Sequence, residues 1–222
     1  QCLGNLGIRF PQLSVVTSAQ CTEPGETPLT ASLTGSGFTT RKRMDGGYNV
    51  LANHGEIHEI TPASFRFLWN FRHLATSDTG VKRRLSREFF KGVHWKCSWR
   101  NDEASPFESV RAWDPSIDKG NLRTGHGAAA AAFPMFKGAK MAHQWAGVID
   151  VTPDALPVIS PIATIPGLFL SSGYSGHGFG IGPAAGRLTA DMVLGRAQAH
   201  ELEPYRFERF ADGSIRPGPA VR

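Results

Sequence analysis

Gly173-Tyr174-Ser175-Gly176-His177-Gly178-Phe179-Gly180-Ile181-Gly182-Pro183 is the stretch on which the reading of this chain turns. It follows the short apolar run Gly167-Leu168-Phe169-Leu170-Ser171-Ser172, which has the length and composition of a buried parallel strand. After it, Ile181, Ala185, Leu188 and Met192 fall on one face at helical spacing, and Gly195 is placed to stop the helix in a left-handed cap. A strand, a glycine-rich turn and a helix therefore succeed one another. Five glycines within residues 173–182 let the backbone approach a ligand without Cβ interference. The helix start offers unpaired N–H groups and a partial positive charge, which suit an anion or a developing negative charge. The spacing is not that of a P-loop, since no Lys-Ser/Thr follows, nor that of G-x-G-x-x-G. The bland alternative is a tight turn that packs a helix closely on a sheet.

Working outward, residues 13–22 are rich in β-branched types and end at Glu23-Pro24-Gly25, which predicts a strand and a turn. Residues 37–44 and 47–53 flank Asp45-Gly46, a hairpin signal. Thr61-Pro62 opens a helix expected to run to about Leu74, with Phe65, Leu68 and Trp69 at helical spacing. Arg83 to Phe90 reads as a helical turn or two, and Val110 to Trp113 as a short strand. A helix over Lys119–Phe133 is weakened by Gly125 and Gly127 and stopped by Pro134. Lys140 to Ile149 and Leu156 to Ile159 read as strands joined by Thr152-Pro153-Asp154. Trp145 reads as a core anchor, with a substrate wall as the alternative. The tail beyond Glu203 is expected to be loose at its end.

The 222 residues suffice for one large domain or two small ones, and the aromatic content can fill a core. The net charge of +5 is modest. Arg41-Lys42-Arg43 and Lys82-Arg83-Arg84 read as solvated faces, so no nucleic-acid partner is expected. Cys2, Cys21 and Cys97 stand far apart, which argues against a disulfide framework or a zinc site. His54 and His58 fall in a strand and loop context that does not juxtapose them as metal ligands, and no metal is expected. No apolar run reaches the roughly 18 residues of a membrane span. With no secretory signal, the cytoplasm is the expected compartment, and a position peripheral to the inner membrane is the alternative. The start at Gln1-Cys2 reads as a cut within a longer protein.

The glycine-rich turn, taken with Trp145 to Ile159 and Gly167-Leu-Phe-Leu170, resembles the C-terminal signature of the FAD-dependent D-amino-acid oxidase superfamily. Leu3-Gly-Asn-Leu-Gly-Ile8, Asp45-Gly-Gly-Tyr48, Phe65-Arg-Phe-Leu68 and Ser105-Pro-Phe-Glu108 resemble the substrate domain of its sarcosine, proline and D-amino-acid dehydrogenase-like members. The resemblance covers roughly residues 3–195.

It implies an α/β (α+β) fold. Residues 1–147 would form a partial substrate domain with a mixed, largely antiparallel sheet. Residues 148–195 would supply the C-terminal strand and helix of a Rossmann-like FAD domain whose N-terminal βαβ unit is missing, and 196–222 a tail. The implied reaction is FAD-dependent oxidation of the C–N bond of an amino acid or secondary amine by hydride transfer to flavin N5. The flavin role is carried onto Gly176, His177, Gly178, Phe179 and Gly180, whose N–H groups would stabilise charge on the reduced ring. Family members with covalent flavin place a Cys seven residues before the Asp of Thr-Pro-Asp. Here that residue is Gly147, so FAD is expected to be non-covalent. Relatives that carry Lys after Gly-His-Gly-Phe use it on the substrate carboxylate, whereas this chain has Gly180. Tyr48, Arg43 and Arg41 are the candidates to meet a carboxylate, and His177 is a candidate for proton transfer. The expected partners are a small amino-acid or amine substrate, the missing N-terminal half and further subunits of a hetero-oligomer. The alternatives are the tRNA-modifying branch of the superfamily and a non-catalytic fragment.

Overall fold

A computed structural model describes residues 2–25, 29–76, 80–87, 89–90, 100, 102–105, 108 and 113–215. The helical turns expected over Arg83–Phe90 are corrected at their start, where Lys82–Arg84 form a strand; their later part, the strand expected at Val110–Trp113 and Cys97 lie partly or wholly outside these residues. The chain opens with α1 (Cys2–Asn5) and continues into β1 (Leu13–Thr22), β2 (Leu33–Gly35), β3 (Phe38–Lys42), β4 (Tyr48–Ala52) and β5 (Ile57–Glu59). Two short helices, α2 (Pro62–Arg66) and α3 (Arg72–Thr76), precede β6 (Lys82–Arg84). Then come α4 (Lys119–Ala132), β7 (Met141–Val151), β8 (Val158–Pro161), β9 (Phe169–Ser172), α5 (Gly178–Val193) and α6 (Arg209–Asp212).

The fold is mixed α/β with a largely antiparallel main sheet, organised around β1. One edge of β1 pairs with β7 from Leu13↔Val151 to Thr22↔Met141. The other edge takes β4 near its end (Gln20↔Val50) and β5 near its start (Val16↔Ile57). The β3–β4 hairpin turns at Arg43–Gly47 as the Asp45-Gly46 signal predicts, and β6 joins β5 in parallel. The domain boundary expected at 147/148 falls inside β7, because β1 holds that strand in register as far as Val151.

Alternation along β1 gives the sheet two unlike faces. Ser18 and Gln20 point to the face that α4 covers. The Gln20 side chain donates to Leu122 O at 2.9 Å, and Asp118 N donates to Ser18 Oγ at 2.9 Å. Asp118 also caps α4 by accepting from the Gly120 and Asn121 N–H groups at 2.9 and 3.0 Å. Phe38, Tyr48 and Val50 share this face and pack with Ala129 and Phe136 as the main core. Gly125 was expected to weaken the helix, yet it is what lets α4 lie on the sheet. A Cβ there would stand 2.6 Å from Ala52 N. The gain in approach outweighs the propensity cost of about 1 kcal/mol.

Two other expectations are corrected. The single helix from Thr61 to Leu74 is two short helices joined by a turn, and Phe65, Leu68 and Trp69 are largely exposed while Phe71 is buried. Of the three only Phe65 lies within α2; Leu68 and Trp69 fall in the turn that follows, so their spacing marks no core face. Among the described residues the run ending at Ser172 has no parallel neighbour: β9 pairs antiparallel with β8 as a hairpin, from Val158↔Ser172 to Pro161↔Phe169. The connecting loop closes locally, with Ile162 N donating to Leu168 O at 2.8 Å. Helix α5 packs on this hairpin through Ala185 and Leu188. Among the described residues no helix is long and apolar enough to cross a membrane.

Candidate active site

The second face of the main sheet carries Val15, Thr17 and Ala19 of β1. Register places Ile149, Gly147 and Trp145 of β7 beside them, and Leu51 of β4 faces the same way. No helix among the described residues packs over these positions. All are half-buried except the small Ala19, which its neighbours shield. Trp145, expected as a core anchor, stands on this uncovered face with its ring stacked on His143, centroids 5.8 Å apart and 16° between planes.

The glycine-rich turn stands at one end of that face. A Cβ on Gly176 would lie 3.4 Å from Cγ2 of Ile149, so the turn backbone sits directly against β7. The turn is tight. Gly173, Ser175 and Gly176 take φ of 75°, 50° and 85°, in the left-handed region. Ser175 is a non-glycine there, a conformation that costs roughly 1–3 kcal/mol and persists only when neighbours over-determine it. They do so here. Ser175 Oγ accepts from Thr152 N at 3.1 Å and lies 3.1 Å from Thr152 Oγ1. Thr152 Oγ1 donates to Leu156 O at 2.8 Å. Gly173 has to be glycine, since a Cβ would meet Thr152 Cγ2 at 2.6 Å.

His177 N donates to Tyr174 O at 2.9 Å, and α5 then begins. His177 O accepts from Gly180 N and Ile181 N at 3.1 and 3.2 Å. The N–H groups of Gly178 and Phe179 take no partner among the described residues. They stand at the positive end of a 16-residue helix, which sharpens their preference for negative charge. A Cβ on Gly180 or Gly182 would meet nothing within 4 Å, and the Phe179 side chain is 97% exposed. The sequence-derived group Gly176, His177, Gly178, Phe179 and Gly180 is thus contiguous in space and open on its outer side. Gly178 itself is helical, so the demand for a left-handed backbone falls on Gly173 and Gly176 instead.

The side chains expected to meet a carboxylate are not brought to this turn. Tyr48 lies on the α4 face at 2% exposure, edge-on to Phe136, with its hydroxyl donating to Leu29 O. Strand alternation fixed two faces for the hairpin, and α4 took the one bearing Tyr48. Arg43 is beyond the end of β3 in the hairpin turn. Its guanidinium contacts Asp45 at 3.0–3.2 Å and Asn49 Oδ1 at 3.3 Å. Arg43 and the N–H of Gly47 hold the Asp45 carboxyl below its usual range. Arg41 is exposed, opposite Asn49 in register. His177 is exposed at the start of α5, with no cap bond from its side chain.

Sequence reasoning missed the support behind the turn. Asp154, at 1% exposure, is held by Arg209 of α6, at 3%. Arg209 Nε donates to Asp154 Oδ2 at 2.7 Å, and Nη2 to Asp154 Oδ1 at 3.1 Å and to Leu156 O at 2.9 Å. The tail therefore docks, with Phe207 and Phe210 packed on Phe10. No local pattern joins residues 55 positions apart; only the lone buried Asp of Thr-Pro-Asp hinted at a cationic partner.

Uncovered apolar face, open turn and partnerless donors fit the edge of a planar ring that gains negative charge, and FAD has such a ring. Comparison with known proteins points the same way. The structure superposes on L-amino acid deaminase from Proteus myxofaciens, solved with anthranilate, at a TM-score of 0.88 and 28% identity, over 95% of this chain and 47% of that one. The enzyme from Proteus vulgaris gives 0.85 and 27%, over 93% and 48%. The beta subunit of sarcosine oxidase from Arthrobacter sp is 37% identical over 89 residues, 40% of this chain and 22% of that protein. Glycine oxidase from Pseudomonas aeruginosa is 32% identical over 77 residues, 35% and 21%. The chain thus spans less than half the length of the proteins it matches. The family model described as "DAO: FAD dependent oxidoreductase" matches residues 16–192. The chain belongs to the D-amino-acid oxidase family of FAD-dependent oxidoreductases.

Proposed function

We propose that the chain forms the substrate side and one flavin-contacting turn of an enzyme that oxidises the C–N bond of an amino acid or amine. The observation that carries this reading is the pair of N–H groups, Gly178 and Phe179, that take no partner among the described residues at the start of α5 beside the uncovered sheet face. Gly176 to Gly180 would hold the flavin ring edge through main-chain donors. FAD supplies the acceptor for the hydride that leaves the carbon next to nitrogen. The donors cost no reorganisation because the turn is already fixed by Thr152 and Ser175. The sheet face orients the substrate: Trp145, Ile149, Leu51 and Val15 offer apolar area and exclude water from the reacting C–H. An apolar or aromatic substrate side chain suits that lining. The product imine then hydrolyses in water.

Gly147 carries no thiol where relatives with covalent flavin place a Cys, so no bond would form at that position and FAD would be held non-covalently. FAD titration of the complete enzyme of which this chain would form part tests the reading. Flavin absorbance should follow the protein through gel filtration, bleach on anaerobic addition of a competent amino acid and be released by acid. Protein that retains no flavin, or retains it and is reduced by none of a broad panel of amino acids and secondary amines, would sink the proposal.

A further inference from the structure

On the flavin reading of the glycine-rich turn, we propose that Arg209 is a positioning residue for that turn, acting through Asp154, Leu156 and Thr152 on Ser175. Every link is a hydrogen bond, and all of the residues joined are buried except Leu156, which is half-buried. Arg209 spans Asp154 and the carbonyl of Leu156. A further bond, from Nη1 to Arg206 O at 2.8 Å, ties the guanidinium to its own tail. Leu156 O also accepts from Thr152 Oγ1, so one carbonyl joins the tail to the threonine. Thr152, fully buried, meets Ser175 through both its N–H and its hydroxyl.

Two features say that this is a device for geometry. A buried ion pair is a weak source of stability, because well-packed apolar groups of similar size serve as well. Its strength is that a planar guanidinium with fixed donors admits one arrangement of its acceptors. The only non-glycine residues with left-handed backbone among the described ones are Ala155 and Ser175, one in each loop that the network joins. Such conformations need neighbours that over-determine them. The tail helix thus locks two adverse loops together, and the lock ends one residue before Gly176.

Amide hydrogen exchange of the full chain, without and with FAD, tests this. The probes are the Thr152, His177, Gly180 and Ile181 amides, all hydrogen-bonded within the unit. The variant Asp154→Leu/Arg209→Met removes the pair without leaving a lone buried charge. It should raise exchange at these amides at least tenfold while Gln20 and Leu122, in β1 and α4, keep their rates. Ser175→Ala alone should raise the same amides, and adding it to the double variant should give no further rise. Where the wild-type chain binds FAD, its affinity should fall about tenfold in each variant and its visible spectrum should shift. Unchanged exchange in the turn, a uniform rise across the chain or additive effects of Ser175→Ala and the pair would overturn the inference. Should the double variant fail to fold, Thr152→Val cuts the same route in the middle and is read in the same way. Failure of the complete enzyme to bind FAD would count against the proposed function, while exchange in the flavin-free chain would still judge the role of Arg209.

Discussion

Two guanidinium–carboxylate pairs on this chain look alike in geometry and differ in consequence. Arg43 and Asp45 meet at 3.0 Å in the β3–β4 turn, with side chains 38% and 48% exposed. Arg209 and Asp154 meet at 2.7 Å with 3% and 1% exposed. Around the first pair, water replaces any contact that is lost. Around the second nothing replaces it, so each partner is indispensable to the other while the pair as a whole adds little net stability. An ion pair spanning two residues decorates a turn; one spanning 55 decides where a loop can be.

The largest contrast is in stability. Arg209→Met strands the Asp154 carboxylate in the interior and should cost about 3–5 kcal/mol. Arg43→Met should leave the urea midpoint where it was. Equal midpoints for the two variants would break the comparison.

Next comes the turn that the buried pair supports. Gly176→Val places a β-branched residue at φ 85°, with its Cβ against Ile149. It should slow flavin reduction about 100-fold or more by displacing the donors. His177→Ala leaves every N–H in place and should cost far less. Stopped-flow reduction with flavin occupancy measured separately checks this, and the reverse ranking would make His177 the leading proton-transfer group.

A smaller effect separates glycines by space. Gly173→Ala meets Thr152 at 2.6 Å in a left-handed backbone and should cost roughly 1–3 kcal/mol. Gly147→Ala meets nothing within 4 Å and should stay within about 0.5 kcal/mol of wild type. Thermal unfolding of both decides whether crowding or glycine content matters.

The smallest effect is a pH dependence at the end of the tail. Ser214 and Arg206 pull the Asp212 carboxyl from 3.8 down to about 2. A depressed carboxyl stabilises the folded form above its unfolded value and loses that contribution as pH falls through its folded one. Docking of α6 should therefore be flat from pH 8 to about 5 and loosen only on descent through the range from about 4 to 2. Asp212→Asn should remove that acid limb, as read by exchange at Ala211. A limb that persists in Asp212→Asn would assign it to another carboxyl.

The same contrast of local and remote explains what was legible from sequence. β1 is read at its full extent because residues 13–22 carry their own β-branched signal and turn. Helix α4 and the succession of strand, turn and α5 are legible because caps, glycines and periodicity are local. The side of the sheet that Tyr48 faces was not, since alternation defines two faces and only the packing of α4 chooses between them. The pairing of β9 was misread because a short apolar run fits parallel and antiparallel neighbours alike. Arg209 had no local pattern at all; its partner is set by the folded tail.

Ser175 carries a lesson for anyone engineering this scaffold. Its left-handed backbone invites replacement by glycine, which takes that conformation without Cβ strain. That edit would relax the chain and delete the hydroxyl that Thr152 grips. A sequence-optimising screen scored on backbone strain alone would favour the swap. One scored on cofactor retention would reject it, and the two screens would drive this residue in opposite directions.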